Sequence, residues 1–237
     1  NFANRLLSDG AESLYEDTIS KRSGFVRGFF AALKTGTGNG TIARMFITGV
    51  TPLVLDDMSS GFNIATNVSL APAMNALAGF TRADVERAVD EFLAVRPELA
   101  GLPGLSSRPE LLDVLEQHYN GYRFAPGATE RVFNSDMVLY FLAQVHTGRQ
   151  YPRDMLDRNA RSDYRHLQRI GTLGGTGPAE RRSLFETILT EGHIESELLP
   201  QFGVKNLPSR APFLSLLYYL GMLTLGQGAP GAEGYDL

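Results

Sequence analysis

The chain has 237 residues, 43% hydrophobic and 20% charged, with a formal net charge of −4 and neither Cys nor Trp. Zero Cys excludes disulfides, thiolate-bound zinc, iron–sulfur clusters and a thiol nucleophile, and His118, His146, His166 and His193 contain no H-x-x-x-H pair for a zinc hydrolase. The mild acidity argues against a general nucleic-acid coat, and no apolar run approaches the roughly 20 residues of a membrane span, so no membrane partner and a cytoplasmic location are expected.

The first 34 residues read as helix, with Phe25, Phe29, Phe30 and Leu33 at helical spacing. Thr35-Gly36-Thr37-Gly38-Asn39-Gly40 predicts a flexible connector. Met45-Phe46-Ile47-Thr48-Gly49-Val50 is apolar without alternation, the pattern of a strand covered on both faces in a parallel sheet. Residues 51–80 have little period. Thr81 and Asp84 then spell a capping signature ahead of a stripe of Val85, Ala88, Val89, Phe92 and Leu93 that ends near Pro97. Ser107 opens the next helix, whose Leu111, Leu112, Leu115 and Tyr119 stop at Asn120-Gly121, where a left-handed cap is predicted.

Residues 122–124 and 132–134 flank a Pro-Gly turn, which predicts a small hairpin. Ser135 or Asp136 caps a helix through His146. Residues 161–170 and 178–191 read as two more helices, the second with Pro178 in its first turn and Gly192 beyond its end. Residues 209–222 form a last apolar helix, and residues 223–225 with 235–237 read as the β-ribbon of a winged helix.

Catalytic signatures are sparse. The Gly36–Thr41 loop lacks the Lys of a G-x-x-x-x-G-K-[ST] phosphate loop and follows a helix instead of a strand, and residues 171–177 lack Lys as well. No G-x-S-x-G elbow surrounds Ser59 or Ser60. None of Lys21, Lys34 and Lys205 has an acid two positions earlier, so an acidic-x-Lys nuclease strand is missing. Asp56-Asp57 and Asp154/Asp157 have no third convergent ligand, and no metal is expected.

Three groups of polar residues remain. Thr48 and Thr51 sit where open α/β sheets bind ligands, past a strand's carboxyl end; backbone capping of that end is the alternative. Asn120 and Arg123 lie in a stretch dense in aromatic and polar groups, either a ligand-facing hairpin or a helix stop whose rings fill core. Between Arg149 and Arg182 eight Arg oppose four acids, a local +4 in a chain whose remainder is −8. Arg161, Arg165 and Arg169 recur on one helix face, which either contacts phosphate or is a solvated surface paired with Asp157 and Asp163.

Five blocks resemble the bacterial AAA-ATPase-like proteins, P-loop NTPases often joined to a C-terminal PD-(D/E)XK nuclease-like domain. They are Phe46-Ile47-Thr48-Gly49-Val50-Thr51-Pro52 with Ser59-Ser60-Gly61-Phe62-Asn63-Ile64; Tyr119-Asn120-Gly121-Tyr122-Arg123-Phe124; the run from Phe133 to Leu142; Leu156-Asp157-Arg158-Asn159; and the run from Leu216 to Thr224. The resemblance implies an α/β N-terminus, the second half of a parallel-sheet P-loop NTPase core, followed by a mostly helical lid and a winged-helix-like C-terminal segment. The corresponding divisions are residues 1–80, 81–192 and 193–237.

By the same resemblance the P-loop and Walker B acids precede Asn1, so the chain is expected to be a fragment of a longer ATPase. Thr48 falls on the sensor-1 position, and Thr51, Asn120, Arg123, Arg161 and Arg165 are candidate nucleotide contacts. ATP and Mg²⁺ are expected cofactors of the intact parent alone. Without the P-loop Lys, the metal-binding residues and the acid that orients water, phosphoryl transfer by these 237 residues is not expected. The alternative reading is a non-catalytic module that binds a partner protein or nucleic acid through its winged helix or its Arg-rich helix.

Overall fold

A computed structural model describes residues 17, 24–49, 64–101, 107–157, 178–203, 206–207, 209–226 and 234–237. The described elements, in chain order, are α1 (Phe25–Gly38), α2 (Arg82–Val95), α3 (Arg108–Tyr119), β1 (Asn120–Tyr122), β2 (Val132–Phe133), α4 (Ser135–Gly148), α5 (Pro178–Glu191), β3 (Glu195–Ser196), α6 (Arg210–Tyr219) and β4 (Tyr235–Asp236). The fold is therefore mixed but helix-rich, and its sheets are two antiparallel pairs, β1–β2 and β3–β4. The chain divides into two units, one taking the described residues of Val68–Tyr164 and Thr224–Ala229, the other those of Asn1–Asn67, Arg165–Leu223 and Pro230–Leu237.

The first of these units is built on α2, α3 and α4. Local chemistry starts each helix. Thr81 Oγ1 accepts the Asp84 N–H while the Asp84 carboxylate accepts the Thr81 N–H, a reciprocal box that satisfies donors the first turn cannot. Ser107 accepts the Glu110 N–H ahead of α3. The apolar stripes then meet in one core: Val85 and Val89 from α2, Leu111, Leu112, Leu115 and Tyr119 from α3, and Met137, Val138, Phe141, Leu142 and Val145 from α4. Each fully buried aliphatic side chain contributes about 2 kcal/mol by its removal from water. Phe80 and Phe133 exchange both backbone hydrogen bonds, which brings the chain close to β2. A Cβ on Gly79 would lie 2.6 Å from a Val132 methyl and 2.9 Å from the Phe133 carbonyl oxygen, so only glycine fits there.

Two helix ends differ from the local reading. α4 is capped by Asn134, whose Oδ1 accepts the Met137 N–H, and not by Ser135 or Asp136. The Asn134 N–H is held by the Tyr119 carbonyl, and that tertiary bond fixes which of three polar residues becomes the cap. α3 ends with Asn120 in extended backbone instead of a left-handed cap, because the chain passes straight into β1. The positive φ falls on Gly121, at the irregularity between the pairs Asn120↔Phe133 and Tyr122↔Val132.

In the other unit Leu216 of α6 packs with Phe202 and Leu207, and Leu199, Tyr219 and Leu220 lie against them. α5 covers the residues its Pro178 and Gly192 delimit. Ser215, fully buried in α6, accepts the Leu199 N–H at 2.9 Å, and the Tyr219 hydroxyl donates to the Leu199 carbonyl at 3.1 Å. The β3–β4 ladder is extended by Ile194 and Leu237, which exchange both hydrogen bonds at 3.0 Å.

Three expectations are corrected. The Thr35–Gly38 stretch belongs to α1, because extending an existing helix costs far less than starting one; the Thr35 and Thr37 hydroxyls bond back to the Ala31 and Leu33 carbonyls within it. Residues 45–49 are irregular and largely exposed, with Phe46 67% and Ile47 40% accessible, and do not form a buried parallel strand. Such a strand needs neighbours on both sides to take its N–H and C=O groups, and no strand pairs with these residues among those described. The described residues thus form no parallel-sheet core. Finally, β4 pairs with β3 and not with residues 223–225, because Thr224 is bound to Arg123. The helix read at 161–170 lies outside the described residues.

Candidate functional site

Residues from three of the sequence blocks converge where α3 gives way to β1. The Tyr119 ring is buried edge-on to Phe141 with centroids 6.1 Å apart, and its hydroxyl donates to the Met155 carbonyl at 2.7 Å. Burial, with a smaller contribution from Tyr140, pushes the Tyr119 phenol up to about 12. Asn120 spends its side-chain amide locally: Nδ2 donates to the Glu116 carboxylate and Oδ1 accepts the Gly121 N–H. That use of both ends of the amide makes Asn120 a terminator of α3.

Arg123 is the unusual member. It is only 4% exposed. Its backbone N–H donates to Thr224 Oγ1 at 2.7 Å, and the Thr224 hydroxyl donates back to the Arg123 carbonyl at 3.3 Å. Its Nη1 donates to the Leu225 carbonyl at 3.3 Å, while the buried Nε has no hydrogen-bond partner. Burial, and then the nearby positive charge of Arg131, pull its pKa below the usual guanidinium value. No carboxylate pairs with it among the described residues. A guanidinium offers five N–H donors in a fixed fork, so most of its bonding capacity is unused here.

Asn75, itself buried, fixes the loop that follows. Its Oδ1 accepts the Phe124 and Ala125 N–H groups at 2.9 and 3.2 Å, and its Nδ2 donates to the Glu130 carbonyl at 3.1 Å. Tyr122 and Phe124 stack at 6.1 Å with rings 8° from parallel. Nothing in the local sequence marks Asn75, because its partners lie about fifty positions away; Thr224 ends the run from Leu216 but carries no signal of whom it binds.

The remaining candidates do not join this cluster. Thr48 lies in the exposed, irregular segment after α1. Thr51, Arg161 and Arg165 lie outside the described residues. A separate open cleft of about 480 Å³ is lined by Tyr140, Gln144, Tyr151, Arg153 and Asp157, with the Tyr140 hydroxyl donating to the Asp154 carbonyl at 3.0 Å. Among the described residues no three His, Asp or Glu side chains gather as a metal site, and no helix is long and apolar enough to cross a membrane. Comparison with family models, with curated proteins and with solved structures yields no match to this chain.

Proposed function

We propose that the chain is the helical, winged-helix-like part of an AAA-ATPase-like molecular switch, without phosphoryl-transfer chemistry of its own. In this reading ATP and Mg²⁺ are handled by a P-loop and acids that these 237 residues lack, and nucleotide state is transmitted to the unit built on α2, α3 and α4. The observation that supports it is the convergence of the family-like blocks. Tyr119 and Arg123, Asn134 and Phe141, and Thr224 are distant in sequence yet joined by direct hydrogen bonds and ring contact. A module used only as a spacer has no need for three such blocks at one joint.

The order α5, β3, α6, β4, with β3 and β4 paired across the helix, supports the winged-helix part of the reading. The α/β-core part has no such support, because residues 45–49 are exposed and unpaired in the described structure. The alternative in which α6 enters a nucleic-acid groove is disfavoured physically. Seven successive α6 residues, Pro212 to Tyr218, are buried, and a reading helix must keep one face free.

Hydrogen exchange on the intact ATPase, with and without Mg-ATP, tests the proposal. Slower exchange at the amides of residues 119–125 when ATP is bound is the expected result. Exchange there that ignores nucleotide overturns the switch role.

A further inference from the structure

The hairpin mouth carries a second cation. The pair Tyr122↔Val132 places the next positions outward, Arg123 and Arg131, across from one another at the open end of β1–β2. Arg131 is exposed and makes no ion pair or hydrogen bond among the described residues. Glu130 beside it offers only its backbone carbonyl, to Asn75. Two arginines therefore come together at one end of the hairpin, near enough for the Arg131 charge to act on Arg123; Arg123 is nearly buried with an orphaned Nε, and among the described residues no acid pairs with either. Like charges directly across a hairpin are destabilising, and a buried cation without a counter-charge more so. An anion placed beside both arginines would offset their charges and give the Arg123 Nε an acceptor.

We propose that Arg123 and Arg131 form a receptor for a phosphate-type oxyanion carrying more than one negative charge. Guanidinium forks match such groups by two parallel N–H···O bonds, and a dianion or polyanion balances both cations at once. Asn75 holds the 124–125 backbone and Thr224 the Arg123 backbone, so the receptor is built on fixed main chain. Neither the ATPase reading nor the winged-helix reading is needed for this site, which stands on the hairpin alone.

The test is a thermal-shift titration of the full 237-residue chain with pyrophosphate against KCl of equal ionic strength, with ATP and citrate as parallel arms. A saturable rise in Tm with pyrophosphate is expected, since a ligand that binds the native state stabilises it. Arg131→Ala, at an exposed position, is expected to melt no lower than the wild type in KCl, since it removes a like charge near Arg123, and to bind pyrophosphate at least tenfold more weakly; Arg123→Met is expected to abolish the shift. Stronger binding of ATP than of pyrophosphate assigns the site to nucleotides, and equal binding assigns it to the phosphate group alone; both support the receptor. No shift beyond that of KCl, an undiminished shift in Arg131→Ala, or a shift with citrate only overturns it.

Discussion

Arg123→Met is expected to raise the stability of the chain in a buffer free of oxyanions. Methionine keeps an unbranched side chain in the same space and removes the charge. The loss is one long hydrogen bond, Nη1 to the Leu225 carbonyl at 3.3 Å, about 1–1.5 kcal/mol for a charged donor at that distance. The gain is relief from burying a guanidinium that has no anion and whose Nε has no acceptor, a penalty of several kcal/mol per ion. The bond between the Arg123 N–H and Thr224 is made by the main chain and survives. The balance favours Met by about 2 kcal/mol, or roughly 4–8 °C in Tm for a chain of this length. Calorimetry or circular dichroism in a chloride buffer reads this directly. A variant less stable than the wild type by more than about 2 kcal/mol would refute the reasoning, because the guanidinium would then already be compensated in the native state. Pyrophosphate is expected to close the gap by stabilising the wild type alone.

The other expectations concern the same unit. Thr81→Ala removes half of the capping box and is expected to cost about 1 kcal/mol, or 2–4 °C. The Thr81 hydroxyl and N–H, then Arg87, hold the Asp84 carboxyl below its usual range, so its stabilising contribution is present above about pH 4 and lost as pH falls through the depressed value; Thr81→Ala is expected to flatten that acid limb in a pH series of melts. Tyr119→Phe deletes the hydroxyl bond to Met155 and is expected to cost about 1 kcal/mol at pH 7. Because the folded phenol titrates at about 12, above the ordinary value near 10, the native state holds the proton longer and stability falls as pH rises from about 10 to 12, less steeply in the Phe variant. Gly79→Ala drives a methyl into Val132 and the Phe133 carbonyl, for an expected loss of about 1–3 kcal/mol in denaturant titration.

Elements whose ends are set by nearby side chains were legible in the sequence. α2 begins at Thr81 because Thr81 and Asp84 satisfy each other within one turn, and α5 is bounded by Pro178 and by Gly192, whose φ is +75°. Where tertiary bonds decide, the local text is ambiguous. Asn134, Ser135 and Asp136 are all competent caps, and the Tyr119 carbonyl selects the first. The apolar run at 45–49 reads the same whether or not a sheet surrounds it, since pairing depends on strands elsewhere. Thr35 to Gly38 has poor intrinsic helix propensity, yet the helix begun at Phe25 propagates through it, each further residue adding a backbone bond to turns already formed. The candidate site was half visible. Asn120-Gly121 marked a helix stop, but the burial of Arg123 depends on Thr224 and Leu225 a hundred residues later, and the nearness of Arg131 to Arg123 depends on the hairpin register.

The switch reading is tested most directly by Mg²⁺-dependent ATP turnover, measured side by side on the 237-residue chain and on a longer product of the same reading frame extended upstream of Asn1. The chain is expected to be inactive, and the longer product to hydrolyse ATP and to lose that activity when the Lys of its Gly-Lys-Ser/Thr loop is replaced. Turnover by the 237 residues alone, or an upstream sequence without such a loop and without an Asp-Glu pair, would contradict it.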